Sequence, residues 1–180
     1  MPSAQTLSET DRRLVAVWAA DCAERVLPLF EAEAPDDDRP RDAIDRARAF
    51  GRGELSAADE IRRRFVANRA AQAVTSPAAR AAAWSAGQAS GVAHMGAHAL
   101  GAAAYAAKAV ALAAGDAGVS GAAEAETAWQ LGRMSDPVRA ALRLLPAMGE
   151  DASGPLGAGL LATGLLGESI RRLQSALAEQ

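Results

Sequence analysis

The chain has 180 residues, half of them hydrophobic, 23% charged and only 4% aromatic, with a net charge of −3. These proportions describe one globular domain with a core of alanine and aliphatic side chains; they exclude a disordered chain, and the weak negative charge argues against a general nucleic-acid binder. A single cysteine, Cys22, rules out an internal disulfide, and the opening MPSAQTLSETDRR lacks the apolar core of a signal peptide, so a cytoplasmic location is expected.

Charge is uneven along the chain. Residues 1–72 hold 26 of the 41 charged side chains, so the N-terminal helices are expected to form a solvated layer, with 1–10 loosely ordered ahead of them. A first helix is predicted over 11–33, capped by Ser8 or Thr10, with Leu14, Val15, Trp18, Cys22, Val26, Leu29 and Phe30 on one arc and a kink at Pro28. Arg25 falls inside that arc and needs a partner there; Asp21, one turn earlier, is geometrically available. The run Asp36, Asp37, Asp38, followed by Arg39 and Pro40, predicts a loop that opens a second helix, whose Ala43, Ile44, Ala47 and Phe50 face inward and which ends at Gly51 and Gly53. Ser56 and Asp59 cap a third helix, with Ile61, Phe65 and Val66 inward and Arg62, Arg63 and Arg64 mostly in solvent.

Residues 76–114 carry the core. Of residues 78–114, 19 are alanine, and from 81 to 115 the only formal charge is Lys108. One helix over this stretch would be roughly 55 Å long, against about 40 Å across for a compact chain of this length. A break is therefore predicted among Gly87, Gly91, Gly96 and Gly101, with Ser90 as a cap for the second piece; the same glycines would equally admit a tightly packed neighbour. Beyond the 115–121 turn, Ser120 caps a helix containing Glu124, Glu126 and Trp129, Gly132 breaks it, and Ser135, Asp136 and Pro137 open another that ends near Gly149. The last element, over 155–179, is amphipathic through Ile170, Leu173 and Leu177, and the uncharged run 152–167 is too short to span a bilayer, so no membrane is expected. No stretch alternates like a strand. The expected fold is all-α, a single-domain multi-helix bundle around the alanine-rich segment, with 11–149 as the main helical domain and 150–180 as an extension packed on it.

Chemistry is less legible. His94 and His98, four apart, have the spacing of a helical metal pair, but the sequence HMGAH lacks the glutamate of metalloprotease helices, so structural histidines are expected and neither a metal nor a cofactor. The Asp36–Asp38 run reads as helix capping paired with Arg39 or Arg41, Arg62–Arg64 as a solvated face, and Cys22 as a small packing residue. No phosphate-binding loop, dinucleotide turn or nucleophile elbow is present. What remains is Asp21, Arg25, His94, His98 and Tyr105, which would form a polar small-ligand pocket if they converge.

The segments WAADCAERVLPLFEAEAPDDDRPRDAIDRARA (18–49), AHMGAHALGAAAYAAKA (93–109) and AWQ (128–130) resemble bacterial immunity proteins of the Imm-5-like family, over about 11–143. The resemblance implies an all-helical fold and toxin immunity. It carries over, by position, Trp18, Asp21, Glu24, Arg25, Asp37, Arg39, Pro40, His94, His98, Tyr105, Trp129 and Gln130. Phe50 stands where the family pattern has tryptophan, and the segment after about Arg143 is an addition.

Three functions follow as expectations. The first is an intracellular immunity protein that neutralises a cognate toxin by direct binding through the charged layer, with Glu24, Asp36, Asp38, Arg62, Arg63 and Arg64 on the partner surface. The second is a small-molecule-binding protein or enzyme using a polar cluster of Trp18, Asp21, Arg25, Asp37, Arg39, His94, His98 and Tyr105, with a histidine as general base. The third is an assembly module whose apolar C-terminal helix forms a homodimer.

Overall fold

The computed structural model describes residues 3–63, 65–115 and 119–179, the side chains of Val119 and Ser120 excepted. Its described residues form helices α1 (Glu9–Glu31), α2 (Arg39–Gly51), α3 (Ala57–Arg63), α4 (Val66–Ala70), α5 (Pro77–Gly91), α6 (His98–Ala114), α7 (Val119–Gly132), α8 (Asp136–Leu142) and α9 (Gly164–Ala178), with no strand among them. The fold is all-α.

At the centre α5 and α6 form an antiparallel hairpin. Trp84 meets Tyr105 with ring centroids 5.6 Å apart, Ser85 Oγ donates to the carbonyl of Ala102 at 2.8 Å, and Gln88 meets His98. Ala81, Ala82, Ala83, Ala86, Ala99, Ala102, Ala103, Ala104 and Ala106 are all fully buried, because side chains ending at Cβ let the two backbones approach closely. Helix α1 lies across both members of the hairpin, α2 and α4 flank α5, and α7 and α9 pack on α6.

The break in the central segment falls after Gly91, and its residues 92–97 form the hairpin turn. Ser90 stays inside α5 and does not cap α6, which has no side-chain cap at all. Instead the amides of Gly96 and Ala97 donate to the carbonyls of Thr6 and Gln5, at 3.0 Å each. The N-terminal stretch, expected to be loosely ordered, thus ties down the hairpin turn just ahead of α6, whose own first amides turn back to the carbonyls of Met95, Gly96 and Ala97. A β-carbon on Gly96 would stand 2.5 Å from Leu7, so the glycine admits this strap.

Gln5 is 1% exposed and ties the strap to the C-terminal segment: Nε2 donates to Asp151 Oδ2 at 2.8 Å and to the Ser153 carbonyl at 2.7 Å, while Oε1 accepts from Leu156 N at 2.9 Å.

Local capping follows the residue types. Ser8, Ser56, Ser76 and Ser135 each accept a backbone N–H three residues on. Pro28 sits in the last turn of α1, which ends three residues later at Glu31. Two elements depart from expectation. Inward from α3 points Glu60, 2% exposed and held by Arg46 at 2.5 Å, whereas Phe65 is 53% exposed. Helix α8 stops at Leu142, well short of Gly149, and the Ser120 cap and Arg64 lie outside the described residues. No helix among the described residues is long and apolar enough to cross a membrane.

Candidate functional site

The polar residues of α1 face α2 and α7. Arg25 does not pair with Asp21: its Nε donates to Oε2 of Glu126 on α7 at 2.7 Å, and its guanidinium lies over the Trp129 ring, 4.3 Å from the centroid. Glu126 is 3% exposed, and burying a carboxylate requires such a counter-ion. Its other oxygen, Oε1, and Oε1 of Gln130 one turn on are buried without a hydrogen-bond partner. Asp21 is taken by Arg48 of α2 at 2.7 Å, and Arg48 also reaches Glu24 at 2.9 and 2.6 Å. These bonds lower the Glu24 carboxyl and raise the Arg48 guanidinium, so both stay ionised. Arg133, at the end of α7, stands 5.9 Å from the Trp129 centroid and 3.7 Å from Asp21.

Asp21, Glu24, Arg25, Trp129 and Arg133 line a surface cleft of about 310 Å³. A second cleft, of about 370 Å³, lies toward the start of the same helix and is lined by Thr10, Arg13, Leu14, Val17, Gly51, Ser135 and Val138. Beneath the first cleft Trp18 Nε1 donates to the Gln130 carbonyl at 3.0 Å and Gln130 Nε2 to the Ala103 carbonyl at 2.9 Å, which fixes α7 against α1 and α6. Cys22 is fully buried below; desolvation, then Glu126 and Asp21, push its thiol well above the ordinary range.

The other sequence candidates fall elsewhere. His94 is exposed in the hairpin turn and His98 is the first residue of α6, so the two are not on one helical face. His98 Nδ1 lies 2.8 Å from Gln88 Oε1, and desolvation, with His94 adding to it, holds its pKa down at about 4. Among the described residues no group of three histidine, cysteine or carboxylate side chains is placed to hold a metal. Tyr105 packs on Trp84, and burial raises its phenol. Asp37 clasps Arg39, Oδ1 accepting from Nε at 2.8 Å, which lowers the carboxyl and closes the acidic loop on itself. Asp36 and Asp38 are exposed beside it, and Arg62 and Arg63 pair with Asp59 and Asp42. Hydrogen bonds and ring contacts thus draw Trp18 and Arg25 to the α1–α7 seam, Asp21 to Arg48 on the α1–α2 seam, His98 and Tyr105 to separate points on the α5–α6 seam, and Asp37 with Arg39 into their loop.

Sequence reasoning missed Arg48, Glu126 and Arg133 as members of this face. One signal was present: Glu126, Trp129 and Arg133 recur at i, i+3 and i+7 on one side of α7, and an arginine on an apolar arc needs a carboxylate.

Residues 5–137 match the family described as Imm-5 like putative immunity protein. The chain belongs to that family. No curated protein and no solved structure matches it. In this Imm-5-like chain the matched stretch begins at the buried Gln5 and takes in every residue of the Arg25–Trp129 cleft, while the segment that Gln5 anchors lies beyond it.

Proposed function

We propose that this protein neutralises a bacterial toxin by binding it directly, inside the cell that makes both. Family membership over residues 5–137 is the observation that carries this reading. The surface chemistry agrees with it. Trp129 and two arginines stand together at the surface, the residue types in which interface binding energy concentrates, and the pair of Arg25 with the buried Glu126 holds one of those arginines in place before any partner arrives. The exposed carboxylates of Asp36 and Asp38, on the loop ahead of α2, would complement a basic site elsewhere on a toxin.

Catalysis gains no such support, since the imidazole, the phenol and the Asp21–Arg25 stretch are engaged in separate contacts. The test is to express the product of the adjacent reading frame with and without this chain. Growth arrest that the chain relieves, with a complex of the two recovered by size exclusion, is the expected result. Arrest that persists at equal expression, with no complex, would refute the proposal.

A further inference from the structure

The two clefts share one floor. Thr10, Arg13, Leu14, Val17, Asp21, Glu24 and Arg25 all fall within about 120° of one side of α1, at roughly 100° per residue. Helix α2 forms one wall, through Arg48 and Gly51. Trp129 and Arg133 from α7, then Ser135 and Val138 from the start of α8, form the other. Set end to end, the two clefts follow about four turns of α1, the first largely apolar, where Val17 is 38% exposed, and the second charged, and the two together are termed the groove.

At the charged end both arginines keep donors unused, beside an Asp21 Oδ2 that accepts no hydrogen bond among the described residues. Asp21 and Glu24 are engaged by Arg48. Arg25 gives only its Nε–H to Glu126, and its two terminal nitrogens carry no hydrogen bond among the described residues. Arg133 comes no nearer to Asp21 than 3.7 Å, too far for a hydrogen bond. Two guanidinium groups therefore flank Trp129 with N–H groups free for an incoming oxyanion, and guanidinium forks match carboxylates in geometry.

We infer that this groove seats a single segment of the partner protein, an acidic side chain reaching Arg25 and Arg133 over Trp129 and an aliphatic side chain lying on Val17. From Val17 to Arg25 is eight residues of α1, about 12 Å of rise. A helical partner spans that in about eight residues and an extended one in about four. The apolar end is what favours a protein over a nucleic-acid phosphate chain, which would have nothing to place on Leu14, Val17 and Val138. This deepens the toxin-binding reading by naming what the toxin presents.

The test needs no toxin. A random peptide library displayed on phage is selected against the full chain, and the enriched peptides are synthesised and titrated. The expected winners pair Asp or Glu with an aliphatic residue at the spacing above. Their affinity should fall about tenfold or more in Arg133→Glu, a change at an exposed side chain, and again in Arg25→Gln combined with Glu126→Gln, which leaves no buried charge unpaired. Far-UV circular dichroism of both variants checks that they fold. Enrichment of basic peptides, no enrichment at all, affinity in both variants equal to that of the native chain, or tighter binding of a single-stranded oligonucleotide than of any peptide would overturn the inference. The outcome is independent of the toxin assay: peptides held by the groove in a chain that relieves no arrest would sink the immunity reading and leave the groove standing.

Discussion

The Nε–H of Arg25 on α1 reaches Oε2 of Glu126 on α7 at 2.7 Å, across 101 residues of chain, and so joins a half-exposed guanidinium to a carboxylate sealed from water. Removing the two partners is predicted to have unequal effects. Arg25→Ala strands a buried charge and should cost about 3 kcal/mol, whereas adding Glu126→Gln to it should restore most of that loss. Urea denaturation of the single and double variants measures both. Equal destabilisation by Arg25→Ala with and without the second change would show that Glu126 does not depend on its arginine.

Stability should also depend on His98. Its folded pKa is about 4, below the ordinary value of 6.5, so between those pH values the unfolded chain takes up a proton that the folded chain does not. The contribution is fully present above 6.5 and is lost as pH falls toward 4. Between pH 7 and pH 5 the loss should approach about 2 kcal/mol. The ion-paired Glu24 and Asp37 carboxyls are lowered and leave this window clear. Urea midpoints at the two pH values should differ for the native chain and converge for His98→Gln; an unchanged difference would place the effect elsewhere.

Cys22 is buried and its thiol is pushed up by desolvation. An aromatic disulfide reagent should therefore label the protein only as fast as it unfolds, with a rate that climbs with urea. Rapid labelling in buffer alone would contradict the burial.

Gln5→Ala removes the acceptor of the buried Leu156 N–H and both bonds to the 151–153 segment. Leaving a buried amide unpaired costs about 1–3 kcal/mol. Amide exchange at Leu156 should quicken by about one to two orders of magnitude, while the alanine hairpin exchanges as before. Slower or unaltered exchange at Leu156 would show that the strap is not what holds it.

Most of the helical outline was legible because it is local. A serine three residues before an amide, a proline in a first turn and an alanine run free of charge each act within a few residues, and α1, α2, α5 and the start of α8 begin where those rules place them. The start of α6 was not legible, since the turn just ahead of it is held by carbonyls of Gln5 and Thr6, some ninety residues earlier, which accept from Ala97 and Gly96. The same limit hid the site. Arg25 was readable as an arginine in need of a carboxylate, but Asp21 was the only candidate within reach on its own helix. Which acid meets it depends on how α7 lies across α1, and that is set by Trp18 and Gln130 reaching for distant backbone carbonyls. His98 was placed correctly in the core segment, yet the break at Gly91 moved His94 off its face.

Hydroxyl-radical footprinting of this chain with the product of the adjacent reading frame tests the central claim most directly, because Val17 and Trp129 are both oxidisable and both reachable from the groove. Protection of these two side chains in the complex, with Phe65 labelled as in the free protein, is the predicted result. A complex that leaves Val17 and Trp129 as reactive as before would contradict binding through the α1 groove.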